Sequence, residues 1–259
     1  MLLQSEGQVC KKILIIILFF FSSITFSQDR FITLGPHILN IFYELNSINN
    51  VVAASEPFDQ NKFANVKSLG APSSLNFELI TLFNPDYIIC WDDAISKKQL
   101  FLLEKKYKVI CFPSPNIQEL IKQYEYIANL VDKSEEFKRL YLSSFHNFNK
   151  NYYSSSFNYF IKLWSDPLFS SNSGFINDFL KKCGGQNILD FYEPKKSMML
   201  SLEFLINSNV DVIYAINNNS EKFLNIINPI MKSKLINLSK YALSLPRLTI
   251  LSEINSICQ

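Results

Sequence analysis

The sequence predicts an α/β fold of two similar lobes, each on a central, mainly parallel sheet, with a stiff helical connection between them. Three observations carry this. A short pattern occurs twice, 125 residues apart, as Leu75-Asn76-Phe77-Glu78 leading to Asn84-Pro85-Asp86 and as Leu200-Ser201-Leu202-Glu203 leading to Asn209-Val210-Asp211. In both copies Glu is followed by Asn at plus six, Asp at plus eight and Ile at plus ten, so a helix-to-strand unit is duplicated. Around the copies, continuous apolar strand patterns alternate with helical ones, as in parallel sheets covered on both faces. Between them no Gly or Pro interrupts residues 116–166, which makes the connection stiff rather than a flexible linker.

The elements follow in order. Within residues 1–27, Lys11-Lys12 precede the apolar run Ile13 to Phe21, and Ser and Thr follow it. A basic start, an apolar centre and small residues at Thr25 and Ser27 predict a cleavable secretory signal, cut at Ser27/Gln28. The run is short for a membrane span, which needs about 20 apolar residues, so the mature chain is expected to be exported and soluble. The N-terminal lobe is assigned to 28–116. Arg30 to Leu34 reads as a strand, Gly35-Pro36 as a turn, and His37 to Leu45 as a helix with Ile38, Ile41, Phe42 and Leu45 on one face. Val51 to Ala54, Tyr87 to Trp91 and Lys108 to Phe112 are further strands, with a Leu-rich helix around Leu100 to Leu103. Asn76 and Ser201 are N-caps that place Glu78 and Glu203 near the positive ends of their helix dipoles. The connection, 117–156, is helical, with Asp132 and Glu135 resembling a capping box where a second helix starts. The C-terminal lobe, 157–259, repeats the alternation: strands at Phe157 to Leu163 and Val212 to Ala215, helices at Gly174 to Lys182 and around Phe223 to Asn228, and a last helix from Pro246 to Cys258.

Composition limits the function. At 259 residues and 48% hydrophobic content the chain buries roughly 70 to 75% of its unfolded surface and needs no help to form a core. Its formal charge is +2, falling to +1 when residues 1–27 leave, with both signs mixed throughout. Such a chain has no electrostatic footprint for nucleic acid. No phosphate loop, Gly-x-Gly-x-x-Gly, His-Glu-x-x-His or Gly-x-Ser-x-Gly occurs, so enzyme activity is not expected. Two histidines, His37 and His146, are too few for a metal cage, and no bound cofactor is expected. Four cysteines remain after export, and they allow three pairings. Cys90 and Cys111 end buried strand patterns, where a free thiol behaves as a small hydrophobe. A Cys183 to Cys258 bridge would tie down the last helix.

Candidate binding residues sit where strands end. Trp91 lies at a strand's carboxyl end, the position from which open parallel sheets hold ligands. His37 opens the first helix beside the expected interlobe cleft. Phe58 and Phe169 occupy Pro-containing loops after strands, where a bulky apolar side chain has little core to enter. Tyr241 is a further aromatic candidate. Glu78 and Glu203 weigh differently. Either alone gains about 0.3 to 1 kcal/mol from its helix dipole and needs no other reason to be there. Their equivalence in the two lobes, however, offers one acidic knob per lobe to a partner with two basic sockets.

These residues together resemble the periplasmic substrate-binding proteins of cobalamin and iron-siderophore ABC importers, most closely the cobalamin branch. The resemblance runs from Arg30-Phe31-Ile32-Thr33-Leu34-Gly35-Pro36 through Leu75-Asn76-Phe77-Glu78, Asn84-Pro85-Asp86, Ser170 to Gly174 and Cys183-Gly184-Gly185-Gln186-Asn187-Ile188 to Pro246-Arg247 and Cys258. It implies two α/β lobes joined by a single long helix, little hinge closure, a Cys183–Cys258 disulfide, and docking of Glu78 and Glu203 on arginines of a membrane permease. It matches Trp91 to a cobalamin-contacting tryptophan and places Phe169 near a contacting phenylalanine. At ligand-touching positions the chain departs: Lys196-Ser197-Met198-Met199 stands where a tryptophan is expected, another before Leu75 is absent, and Ser239 and Leu243 replace an acid and an arginine. The expectation is a monomeric periplasmic carrier that captures a corrinoid (vitamin B12) between its lobes and delivers it to an ABC importer. A ferric-siderophore or haem carrier, with His37 or a cleft tyrosine as iron ligand, is the alternative within the class; a secreted α/β enzyme using the cleft is the alternative outside it.

Overall fold

The computed structural model of the chain describes residues 28–150, 156–195, 197–216, 223, 226–227, 230–238, 245–253 and 258. The expected signal and Tyr241 lie outside them. Among the described residues no helix is long and apolar enough to cross a membrane.

Five strands, β1 (Phe31–Leu34), β2 (Val51–Ala54), β3 (Lys67–Ser68), β4 (Tyr87–Trp91) and β5 (Lys108–Phe112), form an all-parallel sheet in the order β3-β2-β1-β4-β5. Their buried residues face helices on both sides. Helix α1 (Pro36–Glu44) begins with Pro at its first turn, where a missing N–H costs nothing, and buries Ile38, Ile41 and Phe42 completely. Helix α2 (Phe77–Phe83) is capped by Asn76, whose Oδ1 accepts the Leu79 N–H at 3.0 Å. Leu75, just before that cap, shares an apolar cluster with Ile80, as expected of a hydrophobic staple. Helix α3 (Lys97–Glu104) starts on a Ser96/Gln99 capping box.

Two helices make the connection. Helix α4 (Ile117–Leu130) is capped by Asn116, which accepts the Glu119 N–H at 2.8 Å. Helix α5 (Ser134–Lys150) follows after a three-residue joint. Asp132 does not cap the second helix, as its spacing to Glu135 predicts. Its φ is 55°, and the Lys133 N–H donates back to the Ala128 carbonyl at 2.7 Å. The residue therefore ends the first helix in a left-handed Schellman turn.

In the C-terminal lobe β6 (Phe157–Ser165) is central. On one side it pairs in parallel with β10 (Val212–Ala215), which carries β11 (Lys234–Asn237). On the other side its start pairs with β8 (Gly185–Asn187), and its end forms a hairpin with β7 (Leu168–Ser170), which pairs antiparallel with β9 (Met198–Leu200). Phe169 thus sits in a strand, not in a loop, because Asp166-Pro167 makes a two-residue turn. Helix α6 (Phe175–Lys182) ends at Cys183. Gly184 then takes φ 84°, and a Cβ on Gly185 would lie 2.6 Å from the Tyr159 ring; turn and packing explain the paired glycines. Helix α7 (Leu202–Ile206) is capped by Ser201 in the same way as α2 by Asn76. Of the last helix expected from Pro246, the described part is a 3-10 turn at Thr249–Glu253. Phe223, Ile226 and Ile227 are helical as expected.

One apolar core runs through both lobes, joining Phe31 and Ile38 to Leu120 and Tyr124 of α4 and on to Tyr159 and Phe179. Smaller clusters cover the outer face of each sheet. Two disulfides close the structure. Cys183–Cys258 spans 5.3 Å between Cα atoms and Cys90–Cys111 spans 4.4 Å. The second decides between the pairings that the sequence left open for Cys90 and Cys111. They are direct register partners on adjacent strands β4 and β5, a proximity that only the strand order creates.

Candidate functional site

Each sheet has a switch point, β1/β4 in one lobe and β6/β10 in the other, where neighbouring strands send the chain in opposite directions. Crevices open at the carboxyl ends of such strand pairs. A cavity of about 360 Å³ lies there, with one wall from each lobe. Trp91, at the end of β4, and Ser114 to Asn116, after β5, form the first wall. Ile161 and Leu163 of β6, Ile216 after β10 and the start of α6 form the second, and Pro246 closes one side. The two walls are fastened where they meet: the Phe175 N–H donates to the Pro115 carbonyl at 3.0 Å and the Ile117 N–H to Asp178 Oδ2 at 3.2 Å. Burial pushes the Asp178 carboxyl above its ordinary range, opposed by the Ile117 N–H and Lys181. None of the described lining residues has a titratable side chain, and the lining is mainly apolar with a few hydroxyls and one amide.

Trp91 is held from behind. A Cβ on Gly35, whose φ is 133°, would lie 3.1 Å from the Trp91 Cβ, so only glycine lets the β1 end approach this closely. His37 packs edge-on against the indole, ring centroids 4.9 Å apart at 90°. It does not line the cavity. Its side chain is 1% exposed, and burial lowers its pKa to about 4, with the nearby Gln123 side chain pulling the other way. Neither ring nitrogen makes a hydrogen bond of good geometry, and the Thr33 hydroxyl, Trp91 Nε1 and Gln123 Oε1 are likewise unbonded. Burial favours the neutral imidazole, and the ring backs the tryptophan rather than lining the cavity.

The other candidates are placed separately. Phe58 lines a second cavity of about 180 Å³ together with Pro36, Lys62, Phe63, Leu245 and Arg247. Phe169 is half-buried on β7 opposite Met199 and lines neither cavity. Glu78 and Glu203 are both exposed in the first turns of α2 and α7, at equivalent points of the two lobes. Among the described residues no group of three or more His, Cys, Asp or Glu could hold a metal ion.

The repeat has a further role that its spacing alone did not disclose. Asp86 Oδ2 accepts the Arg30 N–H at 2.8 Å while the Asp86 N–H donates to the Arg30 carbonyl. Asp211 does the same with Asn158, at 2.7 Å. Each aspartate clamps the starts of the two strands that flank a switch point, and Ile88 and Ile213, two residues on, are fully buried. The wall residues Ser114 to Asn116, Ile161 and Ile216 were missed by the sequence reading. The rule that singled out Trp91, a strand's carboxyl end, applies to β5 and β10 equally.

Known proteins are similar to this chain in sequence and in structure. A vitamin B12-binding protein of Vibrio vulnificus is 23% identical over 169 residues, 62% of this chain and 62% of the relative's length. The periplasmic vitamin B12 binding protein BtuF of Vibrio cholerae superposes with a TM-score of 0.71 at 18% identity, covering 89% of this chain and 95% of that one. The periplasmic heme binding protein HutB of Vibrio cholerae does so with 0.73 at 17% identity, covering 90% and 98%. The periplasmic binding protein family model matches residues 32–233. With two α/β lobes on a helical connection and a cavity at their switch points, this chain belongs to the periplasmic binding protein family.

Proposed function

We propose that the chain captures a corrinoid in the interlobe cleft and delivers it to an ABC importer, docking on the permease through Glu78 and Glu203. The observation that carries the ligand site is the cavity between the switch points, with Trp91 on its wall. An indole set on an apolar wall covers the face of a large, flat ligand, and the hydroxyls and amide of Ser114, Asn116, Ser171 and Ser173 suit the polar groups at its edge. A relative named as a vitamin B12-binding protein supports the corrinoid over other cargoes. The haem binder HutB keeps the haem reading in view. Against it stands the lining: among its described residues there is no His, Tyr, Met or Cys to ligate iron, and His37 is buried behind Trp91. A corrinoid arrives with its metal already held by its own macrocycle and needs no such ligand.

Titrating the mature chain with cyanocobalamin in a calorimeter is expected to give a tight one-to-one complex, and Trp91→Ala to weaken it by about tenfold or more, from lost apolar contact. No heat and no co-elution would end the corrinoid version. A shifted Soret band on titration with haem, with cyanocobalamin silent, would put the haem reading in its place.

A further inference from the structure

We propose that the smaller cavity beside the main cleft is a subsite for an anionic group, a phosphate or a carboxylate, carried by the ligand. The inference rests on the preceding reading only in taking the main cleft as the ligand site. The cavity forms where the loop after β2, the start of α1 and the C-terminal segment meet. Its lining and that of the cleft come from neighbouring residues of the chain in two places. Leu245 and Arg247 line it and flank Pro246, which lines the cleft; Pro36 lines it and follows Gly35, which abuts Trp91.

Among its described lining residues Phe58, Phe63, Pro57 and Leu245 are apolar, and Asn40, Asp59 and two cations are set among them. Arg247 is half-buried, and its Nε is out of solvent with no hydrogen-bond partner. A guanidinium keeps its charge at any ordinary pH, and an unbonded buried donor on a charged group is more costly than a neutral one. An anion in the cavity would meet the rest of the guanidinium rather than that enclosed Nε, and a guanidinium edge matches the oxygens of phosphate and carboxylate. Lys62 Nζ stands over the rings of Tyr43 and Phe63, 4.0 and 5.0 Å from their centroids. It is thus positioned by aromatic faces, and among the described residues neither cation is in an ion pair. The one acid among the described lining residues, Asp59, turns Oδ1 to the backbone N–H groups of Asn61 and Lys62 at 3.0 and 3.1 Å, which ties it to its own loop. Two cations set among apolar residues suit an acidic substituent at the rim of a mainly apolar ligand.

The test uses two ligand pairs on the mature chain. Cyanocobalamin carries a phosphodiester and dicyanocobinamide does not; haemin carries free carboxylates and its dimethyl ester does not. In the pair it accepts, the chain is expected to bind the anionic member about tenfold more tightly, and Lys62→Gln and Arg247→Gln each to remove most of that preference. Loss of Arg247 also removes packing from the C-terminal segment, so Lys62→Gln on its exposed loop is the cleaner variant, and a thermal melt of each separates folding from binding. Equal affinity for both members, or a preference unchanged in both variants, overturns the subsite. Failure of both corrinoids overturns the corrinoid reading and leaves the haemin pair to decide the subsite, and failure of all four ligands overturns both.

Discussion

Gly35 and His37 set the position of Trp91 without touching the cavity themselves. Gly35→Ala would place a methyl group in a left-handed conformation 3.1 Å from the indole's Cβ, a strain of about 1 to 3 kcal/mol. The expected outcome is a lower melting temperature together with several-fold weaker ligand binding, read by thermal melts and titration. His37 makes stability depend on pH. Its pKa is about 4 in the fold against 6.5 for a free imidazole, so as pH falls the unfolded chain takes up the proton first. The stability this residue contributes is fully present above about pH 6.5 and is lost down to about pH 4, by roughly 3 kcal/mol. In His37→Gln that part of the profile should flatten, as denaturant midpoints across the window will report.

At the scale of elements, ends and ties decide the architecture. The joint between α4 and α5 is a Schellman turn on Asp132, whose φ of 55° suits glycine better than aspartate. Asp132→Gly should therefore keep or raise stability, by up to about 1 kcal/mol. A capping-box aspartate replaced by glycine would instead lose a few tenths of a kcal/mol, so a fall in the urea midpoint with no gain would restore the capping-box assignment. The C-terminal segment is tied at two levels. The Tyr124 hydroxyl donates to Glu44 Oε2 at 2.6 Å and accepts the Leu248 N–H, and the Thr249 hydroxyl also donates to Glu44. Cys258 is then bonded to Cys183, 75 residues earlier. Replacing both of these cysteines by Ser should cost about 4 kcal/mol in the chain-entropy model, seen as a lower unfolding midpoint under non-reducing conditions.

For the molecule as a whole, one apolar core runs through α4 into both lobes, and the proposed docking role of the two exposed glutamates is tested apart from ligand binding. Glu78→Ala with Glu203→Ala should leave ligand affinity unchanged and remove stimulation of the permease's ATPase; a collapse of ligand binding instead would place these residues in the pocket. Much of this architecture was legible in the sequence. The strands at Phe31, Val51, Tyr87, Lys108 and Val212, the caps Asn76 and Ser201, and the equivalence of Glu78 and Glu203 all follow from periodicity and capping, which are properties of neighbouring residues. Other features depend on which strand lies beside which. Cys90 meets Cys111 through the β4–β5 register, and Asp86 and Asp211 reach partners 56 and 53 residues away. His37 vanished behind Trp91 because the β1 end and the β4 end are adjacent. The sequence by itself determined the elements, their duplication and the two acidic knobs. Only the tertiary structure decided the walls of the cleft and the cations beside it, because those surfaces are assembled from segments that meet through strand order rather than through spacing along the chain.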